Sequence, residues 1–348
     1  GRYTEPQFAE LMVKEGRADL VAFGRQSLAD PAMPKKALEE RLEDMTPCIA
    51  CLQGCVANMY AGNPVCCLTN PFLGHEAEPI EKTENPKKVM VIGGGVAGLC
   101  AAFIAKEKGH EVTLYEAGDV LGGNMRLAAY PPGKGDITNM IRSYIHRCQK
   151  DGVKIVMNCE VTPELIKEEK PDSVIIATGS KTLILPIEGI DNPAIIHGSD
   201  LLDGKRPAGK KVLVVGGGMV GCETAAFLGE QEHDVTVIEF RDTVGADVIH
   251  EHRVYLMKDF EDYGIKEITG AKVCKFYEDG VEYETADGVR HETRGYDSVI
   301  LSMGFRNYNP LEEKIKDLVP ETHVIGDAIR ARRALDATKE AYEVASRL

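Results

Sequence analysis

The sequence predicts an α/β protein built on tandem dinucleotide-binding, Rossmann-like domains, and three observations carry that expectation. One pattern of strand, GxGxxG, helix, strand and acid occurs twice, at 88–117 and 210–240. From Lys88 onward strands alternate with helices, as in βαβ units on a parallel sheet. Ahead of both copies, five of the ten cysteines gather between Cys48 and Cys67.

Taken in chain order, residues 5–45 open with a helix pattern at Phe8, Leu11 and Met12. Ala18-Asp19-Leu20-Val21-Ala22-Phe23 reads as an apolar strand ending at Gly24-Arg25, and a helix is expected over about 35–43. Residues 74–88 (GHEAEPIEKTENPKK) are charged, aperiodic and Pro-containing, and read as a linker. Val89-Met90-Val91-Ile92 is then a buried strand, followed by GGGVAG, a helix over Leu99–Lys108 with small residues at Ala101, Ala102 and Ala105, and the strand Val112-Thr113-Leu114-Tyr115 closed by Glu116. The second copy runs Val212-Leu213-Val214-Val215, GGGMVG, a helix over Cys222–Glu230, and Val235-Thr236-Val237-Ile238-Glu239.

Each glycine has a separate task. Gly93 or Gly216 makes the tight turn, Gly95 or Gly218 lets a pyrophosphate approach the backbone, and Gly98 or Gly221 lets helix pack on strand. The helix start favours the anion, and Glu116 or Glu239 accepts hydrogen bonds from ribose hydroxyls. Two such sites imply two dinucleotides. A carboxylate at Glu239 repels a 2′-phosphate and favours NADH, while Arg241 could pair with that phosphate, so NADPH stays open.

The cysteine spacing is Cys48-x2-Cys51-x3-Cys55-x11-Cys67, which supplies the four thiolates of a 4Fe–4S cluster. Gly54 and Asn63-Pro64 allow the chain to curl. Zinc is the alternative, although structural zinc more often shows two CxxC pairs. Cys66 adjoins Cys67, and neighbours in extended chain point to opposite sides, so it is expected to face away. Cys100 and Cys222 fall in apolar helical patterns and read as core residues. The nine histidines show no ligand spacing beyond His250/His252.

The 348 residues suggest two to three domains. A net charge of −14 gives no electrostatic footprint for nucleic acid or an anionic membrane surface. With 43% hydrophobic and 28% charged residues, the composition is that of a soluble protein. Neither a spanning run nor a signal segment is legible, which points to the cytoplasm. No sequence feature sets the oligomeric state.

The order "ADLVAFGR…DP", the cysteine spacing running into "LTNP", GGGVAG with "YEA" and "LGG", "IATGS", GGGMVG and "VIGDA" resembles the C-terminal part of the old-yellow-enzyme-like flavin and iron–sulfur oxidoreductases. That family includes 2,4-dienoyl-CoA reductase, 2-enoate reductases, NADH:flavin oxidoreductases and trimethylamine dehydrogenase. The resemblance covers essentially the whole chain, and the cysteine spacing is its most specific element. It implies a disulfide-reductase-like flavoprotein, α/β in class, with tandem Rossmann-like FAD and NAD(P) domains preceded by a 4Fe–4S segment and the last stretch of a truncated (β/α)8 barrel.

The implied organisation is a barrel remnant over 1–45, a cluster segment over 46–75 and a linker over 76–87. An FAD-binding domain then occupies 88–205 and resumes over 306–348, with the NAD(P)-binding domain inserted between them at 206–305. By the same resemblance, Gly93, Gly95, Ala97, Gly98 and Glu116 hold FAD, with Gly123-Asn124 near its pyrophosphate and ribose. Val161 sits by the adenine, Thr178-Gly179 line the crossover, and Gly326 and Asp327 close on the ribityl-phosphate side. Gly24-Arg25 matches the end of the barrel's last strand, so Arg25 binds FMN phosphate. Gly216, Gly218, Gly221 and Glu239 take the nicotinamide nucleotide, and Cys48, Cys51, Cys55 and Cys67 hold the cluster.

A complete barrel needs about 250 residues, and only 47 precede Cys48. The chain is therefore expected to be a fragment of a longer enzyme, with most FMN contacts and the substrate's proton donor elsewhere, and no catalytic residue is named. The implied route takes hydride from NAD(P)H to FAD, single electrons to the cluster and then FMN, and reduces an activated C=C bond of an unsaturated acid or acyl-CoA. Two other readings compete: an electron-input subunit like the small subunit of glutamate synthase, whose cysteine spacing differs, and a non-catalytic nucleotide-binding module.

Overall fold

The structure, a computed structural model, describes residues 3–348. The chain divides into two units, the first holding 3–126, 136–180 and 307–348, the second 127–135 and 181–306.

Unit 1 is built on a five-stranded parallel sheet in the order Glu321–Val324, Ser173–Ile176, Lys88–Ile92, Glu111–Tyr115, Lys154–Val156. Val89 to Ile92 are all buried, as a central strand covered on both faces requires. The helix Val96–Glu107 buries ten residues, and its run of small side chains lets sheet and neighbouring helix approach. The C-terminal helix Ala334–Ala345 packs against it, with the Cys100 thiol on the Thr338 carbonyl at 3.8 Å. Ile137–Lys150 is amphipathic and turns Ile137, Met140, Ile141, Tyr144 and Cys148 inward at helical spacing.

The cysteine segment docks on this unit through a few specific contacts. Tyr144 Oη donates to the Leu68 carbonyl at 3.1 Å, fully buried. The Leu335 N–H donates to Gln53 Oε1 at 3.2 Å. The Arg147 guanidinium lies 4.2 Å from the Phe103 ring centroid and 4.9 Å from that of Phe72, and Phe72 stands edge-on to Tyr342.

Unit 2 repeats the sheet, in the order Ile196–His197, Ser298–Leu301, Lys211–Val215, Asp234–Ile238, Lys266–Ile268, again parallel. Register is repeated too: Lys88 pairs Glu111 as Lys211 pairs Asp234. Successive residues of Lys211–Val215 serve two cores. Val212 and Val214 pack with Ala225, Leu228 and Val237, and Leu213 and Val215 with Phe276, Val281 and Tyr296. An antiparallel meander of Lys272–Tyr277, Gly280–Glu284 and Arg290–Thr293 completes the unit.

Several expectations are corrected. Residues 18–23 form no strand, and Leu20 is 89% exposed; an apolar run becomes a parallel strand only beside a partner, and none of the described strands pairs with it. The helix expected over 35–43 is Met33–Leu38 followed by a short 3-10 turn at Leu42–Asp44, because Glu40 takes a positive φ of 57°. Both cradle helices begin about one turn earlier than the apolar pattern suggests, at Val96 and Met219, directly after Gly95 and Gly218. Unit 2 opens at Lys181 rather than at 206, since Ile196–His197 joins the second sheet beside Ser298–Leu301, and it also takes in Leu127–Gly135. Among the described residues, no helix is long and apolar enough to cross a membrane.

Candidate functional site

The first cradle lies at the carboxyl ends of the unit 1 strands, where open α/β sheets bind ligands. Gly93 follows the strand Lys88–Ile92, Thr178-Gly179 follow Ser173–Ile176, and Gly326 and Asp327 follow Glu321–Val324. A Cβ on Gly98 would stand 1.9 Å from the Gly93 carbonyl oxygen, so only hydrogen fits between helix and turn. The N-cap, Gly95, offers no side-chain hydrogen bond to the helix, and a Cβ there would meet nothing within 4 Å. Helix N–H groups are thus presented to an open approach.

Glu116 is fixed by two backbone donors: Gly94 N–H to Oε2 and Gly118 N–H to Oε1, each 2.7 Å. Each carboxylate oxygen keeps acceptor capacity for a further hydroxyl. Asn124 Nδ2 donates to Ser180 Oγ at 3.2 Å, and Ser180 Oγ donates to Asp327 Oδ2 at 2.9 Å. Asp327 Oδ1 accepts the Arg332 N–H at 3.0 Å, and the Gly326 N–H donates to Glu340 Oε2 at 2.7 Å. A Cβ on Gly326 would be 3.1 Å from that of Ala97. Thr178 Oγ1 donates to the Tyr308 carbonyl at 2.5 Å, and the Tyr308 N–H donates to Gly179 O at 2.9 Å. Thus the glycines with Ala97, Glu116, Gly123, Asn124, Thr178, Gly179, Gly326 and Asp327 are brought to one end of one sheet. Val161 lies in the segment after the strand Lys154–Val156, with its side chain buried in the core among Met90, Tyr115 and Ile166.

The second cradle repeats the geometry within unit 2. A Cβ on Gly221 would stand 1.8 Å from the Gly216 carbonyl oxygen. Glu239 accepts the Gly217 N–H on Oε2 at 2.6 Å and the Arg241 N–H on Oε1 at 2.9 Å. The adjoining cleft is lined by Gly218, Met219, Glu239, Phe240, Arg241 and Asp247, among others. One turn into the helix, Glu223 is buried and paired with Lys134; burial pushes its carboxyl above the usual range, against the pull of that lysine.

The five clustered cysteines line one cavity, together with Arg25, Leu28, Leu52 and Leu68. Ala50 and Leu52 have φ of 52° and 59°, left-handed positions that reverse the chain between Cys48, Cys51 and Cys55. A Cβ on Gly54 would fall 2.5 Å from Cys66 O. The Cys48 N–H donates to Gln26 Oε1 at 2.8 Å. Burial pushes the Cys51 thiol up to about 12, and neighbouring Cys67, Cys55 and Cys48 add to the rise against a backbone hydrogen bond from Gln53. Burial also raises Cys67, opposed by hydrogen bonds from Thr69 and Asn70. Thiols so crowded and dry ionise only against positive charge, and thiolate donors around one cavity fit an iron–sulfur cluster. Among the described residues, no three such side chains close on the point a single metal ion would need.

Two expectations change here. Cys66 lines the cavity instead of facing away, held by Asn58 Nδ2 on its sulfur at 3.3 Å and by its N–H on Gly54 O at 2.9 Å. Arg25 opens the short helix Arg25–Ala29 beside the cysteines, and among the described residues no strand precedes it. Sequence reasoning missed Ser180, Glu340, Asn58, Asp247 and the Lys134–Glu223 pair. Only Ser180 carried a signal, directly after Thr178-Gly179.

The pyridine nucleotide-disulphide oxidoreductase family matches residues 87–323. The NADH oxidase of Thermoanaerobacter brockii is 36% identical over 99% of this chain and 54% of its own length. The cinnamate reductase of Clostridium sporogenes is 33% identical over 100% of this chain and 52% of its own. A solved 2-naphthoyl-CoA reductase in complex with 2-naphthoyl-CoA superposes with a TM-score of 0.95 at 34% identity, covering 99% of this chain and 53% of that one. The chain spans about half the length of the curated relatives it matches.

Proposed function

Because the chain belongs to the pyridine nucleotide-disulphide oxidoreductase family of NAD(P)H-dependent flavin oxidoreductases, we propose that it forms the electron-input half of an iron–sulfur flavoenzyme that reduces activated C=C bonds. The observation that carries this reading is the duplicated cradle, in which Glu116 and Glu239 are held alike by a glycine N–H of their own Gly-rich turn.

In this reading the first cradle holds FAD: Gly93, Gly95, Ala97 and Gly98 admit its pyrophosphate, Glu116 its ribose, and Asn124, Gly123, Thr178, Gly179, Gly326 and Asp327 close around it. Val161, its side chain buried in the core, is placed beside the adenine. Gly216, Gly218, Gly221 and Glu239 hold the nicotinamide nucleotide, and the Glu239 carboxylate favours NADH over NADPH. Cys48, Cys51, Cys55 and Cys67 hold a 4Fe–4S cluster. Cys67 is preferred to Cys66 because its thiol shares the electrostatic neighbourhood of Cys51 and Cys48, while Cys66 takes the Asn58 amide. When bound, the flavin takes hydride from the nicotinamide and the cluster passes electrons singly. The residues of this chain position and tune those groups, and none is assigned a proton-transfer role.

The substrate is proposed to be an unsaturated acid or acyl-CoA, a reading supported by the cinnamate and 2-naphthoyl-CoA reductases among the relatives. Those relatives are about twice as long, so FMN and the substrate pocket are assigned to sequence beyond these residues, with Arg25 reaching the FMN phosphate. Anaerobic titration of the FAD-loaded chain with NADH tests the first step. Bleaching of the flavin absorbance is the expected result; binding without bleaching would favour a non-catalytic nucleotide-binding module.

A further inference from the structure

Aligned on their glycines, the two cradles differ in charge at the equivalent pairs Gly118/Arg241, Cys100/Glu223 and Asn124/Asp247, and the last of these lies against the helix start of the second cradle. Glu116, Gly122 and Asn124 of the first correspond to Glu239, Gly245 and Asp247 of the second. The loop is anchored identically in both: the Gly122 N–H donates to Gly94 O at 2.8 Å and the Gly245 N–H to Gly217 O at 2.7 Å. Past that anchor the side chains part. Asn124 turns to Ser180, and a Cβ on Gly95 would meet no side chain within 4 Å. Asp247 turns onto the helix: its Oδ1 accepts the Met219 N–H at 2.9 Å, and a Cβ on Gly218 would lie 3.5 Å from its Oδ2. Met219 is the first residue of a 12-residue helix, so this carboxylate sits where the Gly-rich turn takes an anionic pyrophosphate.

We propose that Asp247 is the resident anion of the second cradle, displaced by the pyrophosphate of each incoming nicotinamide nucleotide, and that it keeps this site exchangeable. The inference rests on reading that cradle as the nicotinamide site. A co-substrate has to leave after every turnover, whereas a prosthetic group stays. A competing carboxylate weakens the bound state of the first kind of ligand, and the neutral amide of Asn124 spares the second. Arg253 Nη2 bridges Thr243 Oγ1 at 2.9 Å and the Val244 carbonyl at 3.0 Å, which ties down the loop ahead of Asp247. Displacement trades one anion for another on the same N–H groups, so its effect on affinity is electrostatic and falls with salt.

The test is Asp247→Asn, which keeps the size and an acceptor oxygen and removes the charge. The 348-residue chain is titrated with NADH, followed by nicotinamide fluorescence, and with ADP-ribose, followed by calorimetry. A roughly tenfold lower Kd for both ligands, with slower NADH release and the gain shrinking at high salt, is expected. The converse variant, Asn124→Asp, should lower the flavin-to-protein ratio. An unchanged Kd in Asp247→Asn overturns the proposal, and a raised Kd overturns it by making Asp247 a ligand contact. If neither the parent chain nor Asp247→Asn binds NADH while flavin is retained, the nicotinamide assignment itself falls and the inference with it.

Discussion

Glu239 accepts the Gly217 N–H at 2.6 Å across 22 residues of chain, which welds the end of one strand to the Gly-rich turn after another. The acid proposed as the ribose acceptor is therefore also a structural member of the turn itself. Replacing it removes a hydrogen-bonded carboxylate from the cleft and unties the turn. Glu239→Ala is expected to weaken NADH about tenfold and NADPH less, since the loss of negative charge relieves repulsion of a 2′-phosphate. Paired fluorescence titrations check this, and equal losses for the two nucleotides would remove the basis for preferring NADH.

Cys51 and Cys66 should behave differently although both face the same cavity. Cys51→Ser removes a proposed cluster ligand, so iron content and the broad visible absorbance should fall while flavin stays. Cys66→Ser, whose sulfur meets the Asn58 amide, should keep iron. Iron and labile-sulfide analysis of both variants decides; full iron in Cys51→Ser would contradict the ligand assignment.

Tyr144 anchors the cysteine segment through one buried hydrogen bond to Leu68. Tyr144→Phe keeps the ring packed on Phe103 and strands the Leu68 carbonyl, a loss of about 1–3 kcal/mol. Chemical unfolding measures the loss, and faster release of iron at unchanged flavin content should accompany it.

Lys134 is the counter-charge of the buried Glu223. Removing it in Lys134→Ala leaves that carboxylate uncompensated and lowers stability at neutral pH by about 3 kcal/mol. The sign with pH follows from the direction of the shift. Burial holds the folded carboxyl above its unfolded pKa, so the folded state binds the extra proton. The variant should then lose stability as pH rises from the unfolded carboxylate pKa through the raised folded one, and level off above. Urea unfolding across that range tests this, with Lys134→Ala/Glu223→Gln expected to recover most of the loss.

Much of the site was legible because its determinants are local. The tight turns at Gly93 and Gly216 have φ of 108° and 107°, the helix must touch the turn at Gly98 and Gly221, and the acid ends the adjoining strand; each is a fixed residue type at a fixed spacing. The cysteine spacing is equally local. The run at 18–23 misled because apolar character without a neighbouring strand specifies no pairing.

By itself the sequence determined the duplicated α/β architecture, the two Gly-rich turns and the thiol cluster, because these follow from backbone geometry within short stretches. Only the tertiary structure decided that Ser180 joins Asn124 to Asp327, that Asn58 holds Cys66 and that Asp247 lies on the Met219 N–H. Such contacts depend on how loops are returned by the sheet and helices around them, and side chains that meet only after that return carry no periodic mark in the chain.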